Sequence, residues 1–395
     1  MRLHLSVISA GFIAVLVGYS SSVAIIFQAA SAAGATPAEL TSWMWALGIG
    51  MGASCIGLSL YYRAPILTAW STPGAALLAT SLTGLTMSQA IGAFLFCSAL
   101  IVLSGLTGAF QRMMQLVPRS IAAAMLAGIL LRFGLDLFVA MESQWLMVSL
   151  MFISFVFARQ FAPRYAVPFA LAAGVIWALT QQQIRLEQLD WSLARPVFMM
   201  PEFSLSVLAG VGLPLFIVTM TSQNVPGLAV LRANSYDVAA SPLVTWTGLT
   251  GLVLAPFGGF SFNLAAITAA ICMSRDADPD PARRYLASVW AGVFYLLTGV
   301  FGATVVSLFA AFPRELIAAI AGLALLSTIG NSLFAALAED KEREAALTTF
   351  LTTASGVSLL GIGSAFWGLL FGLALLLAAT GVRKRRSRDR KAVAR

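Results

Sequence analysis

The chain has 395 residues, of which 59% are hydrophobic and 10% charged, with a formal charge of +8. A soluble domain carries about 25% charged residues, so this composition excludes a soluble globule: only lipid and neighbouring spans can accept so much apolar surface. The positive charge does not read as a nucleic-acid footprint either. Eight of the 24 Lys and Arg residues lie in one terminal run, Arg383 to Arg395, and a basic run after a last span faces anionic lipid headgroups.

The hydropathy pattern predicts an all-α membrane protein with about fourteen transmembrane segments. They fall near 8–30, 42–60, 65–84, 88–110, 118–135, 143–159, 163–181, 204–222, 241–257, 259–274, 284–311, 313–331, 345–361 and 364–382. No Asp, Glu, Lys or Arg occurs from Ala64 to Gln111, from Val238 to Ser274, or from Ala345 to Val382. A span needs roughly 20 apolar residues, so each stretch holds one or two. The pattern lacks the alternation of a β-barrel, which leaves helices to satisfy the backbone in lipid.

In chain order, Arg2 precedes the first apolar run, which is too long for a signal-peptide core. Gln182 to Phe203 is the longest polar connection and reads as an external linker with room for an interfacial helix. With both termini cytoplasmic, twelve of the Lys and Arg residues outside the tail fall inside. Four, Arg132, Arg185, Arg195 and Arg314, fall outside. An even number of spans preserves that division; twelve would hold if two short segments were re-entrant.

Pro118 opens PRSIAAAMLAGILL, and Pro313 opens PRELIAAIAGLALL 195 residues further on. Arg119 starts an outward-running span and Arg314 an inward-running one. The expected organisation is therefore two inverted seven-segment repeats, residues 1–185 and 204–382, around a linker at 186–203, with a basic cytoplasmic tail at 383–395. Inverted repeats are the architecture of many alternating-access carriers.

Segments three and ten are broken. In the third, Trp70-Ser71-Thr72 leads into Pro73-Gly74, an N1-type proline behind a capping Thr. In the tenth, Gly258-Gly259 precedes Phe260-Ser261-Phe262-Asn263, with Ser261 or Asn263 as the cap. Two half-helices pointing their N-termini at one another carry roughly half a positive charge each. That suits a small monoanion without a buried Arg; simple kinks and packing glycines are the other reading. Trp70, Phe260 and Phe262 beside such a site would suit a flat apolar ring. A polar cluster, Thr219 to Gly227, lies in segment eight opposite Ser20-Ser21-Ser22 and Gln28 of segment one. Its Gln223 and Asn224 serve either as interhelical glue or as substrate ligands.

Arg132 and Asp136, at i and i+4, form either an interfacial ion pair or a gate or coupling element. Cys55, Cys97 and Cys272 are isolated, and the sole histidine is His4, so no metal or catalytic cluster can be built and no cofactor is expected. Gly48, Gly50 and Gly52 permit close helix packing, within one chain or in a homodimer.

Thr219 to Tyr236 (TMTSQNVPGLAVLRANSY), Gly258 to Met273 (GGFSFNLAAITAAICM) and Asp278 to Tyr285 (DPDPARRY) resemble the benzoate:proton symporter family of bacterial inner membranes, over essentially the whole chain. That family is similar to nucleobase, ascorbate and sulfate carriers. The resemblance implies a core domain from segments 1–4 and 8–11 moving against a gate domain from 5–7 and 12–14. It implies substrate near Ser71, Thr72, Gln223, Asn224, Phe260 and Asn263, and import of an aromatic monocarboxylate with protons. Nucleobase members carry acidic residues in segments eight and ten, and this chain has none there, so their proton mechanism does not transfer. Alternatives are another small anion or a nucleobase as cargo, or a channel or membrane-embedded enzyme.

Overall fold

The computed structural model describes residues 5–108, 118–184, 191–360 and 362–393. Arg2, His4, Arg112, Arg185, Glu187, Asp190 and the last two residues of the basic tail lie outside them.

Helix α1 spans Leu5–Ala32 and α2 Pro37–Tyr62. Gly34 turns the chain between them at φ +71°, and Thr36 opens α2 through a reciprocal capping box with Glu39. After α2 the chain runs extended into β1 (Thr68–Trp70), then returns to helix as α3 (Thr72–Ser81) and α4 (Met87–Leu106). Helix α5, Arg119–Phe161, has 43 residues. Straight, it would be about 65 Å long, twice the hydrocarbon thickness. It breaks at Gln144 (φ −133°, ψ 52°) into two helices end to end. Helix α6 is Ala166–Thr180.

The room for an interfacial helix in the linker is not used over residues 191–204, which are in neither helix nor strand. Their donors bond to the body instead: Ala194 N–H to Val300 O (2.8 Å), Met199 N–H to Pro256 O (2.7 Å) and Glu202 N–H to Ser88 O (2.9 Å). Backbone pairing across the bundle satisfies groups that an interfacial helix would otherwise satisfy internally.

Helix α7 covers Leu205–Ala233, interrupted by π turns at Leu208–Gly212 and Met220–Asn224. Then follow α8 (Ala240–Leu254), β2 (Phe262–Leu264), α9 (Ile267–Cys272), α10 (Tyr285–Val300) and α11 (Gly302–Ala310). The bend into α11 is 68°. The chain finishes with α12 (Arg314–Leu337), α13 (Arg343–Ala354) and α14 (Ser364–Val393).

Among the described residues, seven helices are long and apolar enough to cross a membrane, or eight if the α10–α11 pair is one span. The protein is a multi-pass helical membrane protein. Its interior is built from helices far apart in sequence, with α2 against α10, α4 against α8, and α5 against α12. The glycines of α2 serve this packing within the chain. A Cβ at Gly48 would lie 2.4 Å from Gly299 Cα, and one at Gly52 would meet Leu296 and the Gly292 carbonyl of α10.

Candidate substrate site

The two broken segments meet. β1 and β2 pair antiparallel, with Thr68 opposite Leu264, Ala69 opposite Asn263 and Trp70 opposite Phe262. Ala265 N–H extends the contact to Leu67 O at 2.9 Å. Each strand supplies the other's missing backbone partners, which is what allows irregular chain to sit deep in an apolar bundle.

This pairing moves the caps from where the spacing placed them. Ser71, not Thr72, caps α3: its Oγ accepts the Gly74 N–H at 3.0 Å. Thr72 is the first helical residue and Pro73 the second. Proline has no N–H and that of Gly74 is taken, so among the described residues Thr72 keeps the one uncommitted donor of the first three, beside the positive end of α3. In the tenth segment neither Ser261 nor Asn263 caps a helix. Strand pairing draws Phe262–Leu264 into β2, Ser261 sits at φ +43°, and α9 begins only at Ile267 with no side-chain cap. The result is one well-formed half-helix facing a strand and a six-residue helix, rather than two matched helix ends. Ser71→Ala removes the cap and is expected to lower stability by about 1 kcal/mol, read as a lower melting temperature in detergent.

The other candidate residues divide by what already engages them. Trp70 is buried, donates from Nε1 to Ser22 Oγ at 2.8 Å and meets the Tyr19 ring edge-on at 4.8 Å. Ser21 is half-buried and its Oγ donates to Gly18 O at 3.1 Å. Phe260 is fully buried between Trp43 and Phe94, with both ring centroids 5.7 Å away. Phe262 packs against the glycine surface of Gly50 and Gly259. These rings are set in packing against Trp43, Phe94 and the glycines around the strand pair. Gly74 lets α3 approach Leu215 of α7. Asn224 is buried, and its Oδ1 accepts the Leu264 N–H at 2.9 Å, so it holds β2 to the second π turn of α7.

Among the described residues, three polar side chains of segments eight and ten carry uncommitted groups, and Trp43 Nε1 and Ser98 Oγ of the neighbouring helices are unpartnered as well. Gln223 is half-buried and its side chain makes no hydrogen bond among the described residues. Asn263 is fully buried; Nδ2 donates to Ser261 O at 2.9 Å, but Oδ1 has no partner. Thr219, also fully buried, has an unpartnered Oγ1. Sequence reasoning put Thr219 in the polar cluster without ranking it. Its signal was spacing: it lies one helical turn before Gln223 and one after Leu215, the residue that faces Gly74. A buried polar group without a partner costs roughly 1–3 kcal/mol, so each of these groups calls for a partner such as a water, an ion or a ligand.

At the far end of α9, Arg284 is 8% exposed and donates from Nη1 to Met273 O (2.9 Å) and from Nε to Asp278 O (2.8 Å). A guanidinium is favoured at the negative end of a helix, so the DPDPARRY stretch latches the short helix in place. Tyr236 joins it, donating to Pro281 O at 2.8 Å; burial raises this phenol above its ordinary value, partly offset by Arg284.

Arg132 and Asp136 lie elsewhere. They line a cavity of about 610 Å³ with Gln28 of α1, Ser81 of α3, Ser206 of α7 and Ser364 of α14. Arg132 Nε donates to Asp136 Oδ1 at 3.3 Å. None of the other candidates lines this cavity.

The comparisons agree with this architecture. The benzoate membrane transport protein family matches residues 1–378. The chain is 52% identical over 363 residues to inner membrane protein YdcO of Escherichia coli K12, covering 92% of this chain and 93% of that one. It is 41% identical over 369 residues to the benzoate membrane transport protein of Acinetobacter baylyi, covering 93% and 94%. The chain belongs to the benzoate membrane transport protein family. Members of this family are transporters, not enzymes. The fold resembles the transmembrane domain of the cyanobacterial bicarbonate transporter BicA (TM-score 0.59, 14% identity, 96% of this chain and 98% of that one). It also resembles murine SLC26A9 in its inward-facing state (TM-score 0.56, 10% identity, 97% and 69%). At these identities the likeness concerns the fold alone.

Proposed function

We propose that this protein imports benzoate or a related aromatic monocarboxylate with protons across a bacterial inner membrane by alternating access. The observation that carries this reading is the uncharged centre. The start of α3 offers the Thr72 N–H and the helix dipole to a carboxylate, and Thr219, Gln223 and Asn263 supply uncommitted polar groups. No Asp, Glu, Lys or Arg is among these residues. A monoanion suits a helix end worth about half a charge; a dianion would be left undercompensated. The Acinetobacter relative bears the description of a benzoate transport protein, which supports the choice of cargo.

Fourteen segments in two inverted repeats remain our reading of the topology, with both termini cytoplasmic. A pair of contacts supports it. Ser120, just after the first repeat's Pro-Arg start, donates to Glu342 at 2.5 Å; Ser143 donates to Glu315, just after the second repeat's Pro-Arg start, at 3.3 Å. The first Pro-Arg start is thus pinned to the connection that follows α12, and the second to the residue just before the break of α5 at Gln144. In this reading α1–α4 and α7–α11 form the core that carries substrate, and α5, α6 and α12–α14 form the gate.

Proteoliposomes with a more alkaline lumen should accumulate labelled benzoate above the level reached in protein-free vesicles, and collapse of the pH gradient should abolish the excess. The protein-free control is essential because neutral benzoic acid crosses bilayers unaided. Accumulation equal to that control would overturn the proposal.

A further inference from the structure

The polar cavity is separate from the buried centre. It is lined by the C-terminal turn of α3, residues Ala79 to Ser81, and seven residues of helix from Thr72 to Ala79 rise roughly 10 Å. Leu77, Leu78 and Leu215, all fully buried, fill the space around that length of α3. At about 610 Å³ the cavity falls within the ~300–1,000 Å³ range of small-molecule sites. It lies between elements assigned above to the core (α1, α3, α7) and to the gate (α5, α13, α14), at the bundle end that the charge distribution assigns to the outside.

Among the described residues lining it, Arg132 and Asp136 are the only charged ones. Their pairing is thin. It uses one guanidinium nitrogen, Nε, at 3.3 Å, and the side chains are 76% and 43% exposed. Neither Nη of Arg132 makes a hydrogen bond among the described residues. Exposed i, i+4 pairs hold weakly, and a guanidinium with its fork free is the geometry that takes a carboxylate through two parallel hydrogen bonds.

We propose that Arg132 forms a capture subsite for the carboxylate of an arriving aromatic acid, with Asp136 as the counter-ion that the substrate displaces. This rests on the import reading above and adds a second station to it: a low-affinity anion site in the vestibule, ahead of the buried centre. Capture there raises the local concentration of anion at the mouth of the path, as charged clefts do. It acts on KM for entry rather than on the turnover of the loaded carrier.

The test is initial-rate uptake of labelled benzoate in proteoliposomes by wild type, Arg132→Gln, Arg132→Lys and Asp136→Asn. Wild-type KM should rise with ionic strength. Arg132→Gln should raise KM about fivefold or more with little change in maximal rate, and should flatten the salt dependence. Arg132→Lys should restore most of the wild-type KM, and Asp136→Asn should leave KM unchanged or lower it, because a competing carboxylate is gone. Equal KM for Arg132→Gln and wild type would overturn the subsite while leaving the import reading intact. So would a rise in KM for Asp136→Asn matching that of Arg132→Gln, because the pair would then be a structural strut. Absence of benzoate uptake by the wild type would instead remove the import reading, and the subsite with it.

Discussion

Asn263→Ala and Gln223→Ala should each weaken benzoate binding at least tenfold, about 1.4 kcal/mol, in a protein that still folds. The two outcomes separate because of what each amide does in the substrate-free protein. The Gln223 side chain makes no hydrogen bond among the described residues, so its removal orphans nothing. Asn263 loses one bond, from Nδ2 to Ser261 O, worth about 1 kcal/mol, and the change also deletes a buried acceptor that had no partner. Asn224→Ala provides the contrast. It strands the Leu264 N–H, which Asn224 Oδ1 accepts at 2.9 Å, and should cost about 1–3 kcal/mol of stability. Equilibrium binding of labelled benzoate and melting in detergent, measured on the same preparations, read the two quantities independently. Wild-type affinity in both Asn263→Ala and Gln223→Ala would move the substrate away from the strand pair.

Gly258→Ala should prevent accumulation of folded protein. Gly258 sits at φ +93°, and a Cβ there would lie 1.9 Å from Trp43 Cδ1. Trp43 cannot yield easily, because it is fully buried against Phe94 and Phe260. The adjoining carbonyl of Phe257 is fixed by the Ser42 hydroxyl at 2.9 Å. Left-handed strain costs about 1 kcal/mol for a non-glycine residue, and overpacking a tight core adds roughly 1–3 kcal/mol. Gly57, with open space around its Cβ position, is the control: Gly57→Ala should express and melt like the wild type. Yield and monodispersity by size-exclusion chromatography read both. Normal behaviour of Gly258→Ala would mean that the turn before β2 repacks freely.

Much of the architecture was legible because a bilayer imposes one-dimensional rules. Apolar length and prolines at helix starts are local properties that the chain carries without regard to its partners. The breaks at Pro73 and at Gly258-Gly259 could be read as interruptions for the same reason: proline and glycine act on their own backbone. The motif from Thr219 to Tyr236 likewise pointed to the benzoate transport family before any fold was known.

What local rules could not supply is which side chains are left over once the pieces meet. Ser71 and Thr72 compete for one cap, and the geometry entering from β1 gives it to Ser71. Asn263 reads as a helix cap only while segment ten stands alone; pairing with β1 turns it into a strand residue with a free acceptor. Asn224 and Gln223 are adjacent amides in the sequence, yet one is engaged by Leu264 and the other is not. Phe260 and Phe262, read as ring-binding aromatics, belong to the packing around the strands, because Gly50, Gly251 and Gly259 leave space there. The sequence by itself determined a multi-pass helical membrane protein and its two broken segments, since these depend on composition and backbone chemistry; the family came from the resemblance of its motifs alone. Only the tertiary structure decided that the breaks meet as an antiparallel strand pair, which polar groups stay uncommitted beside it, and that Arg132 lies in a separate cavity. Hydrogen-bond satisfaction is a property of what surrounds a group, and its surroundings come from residues as far away in the chain as Glu342 is from Ser120.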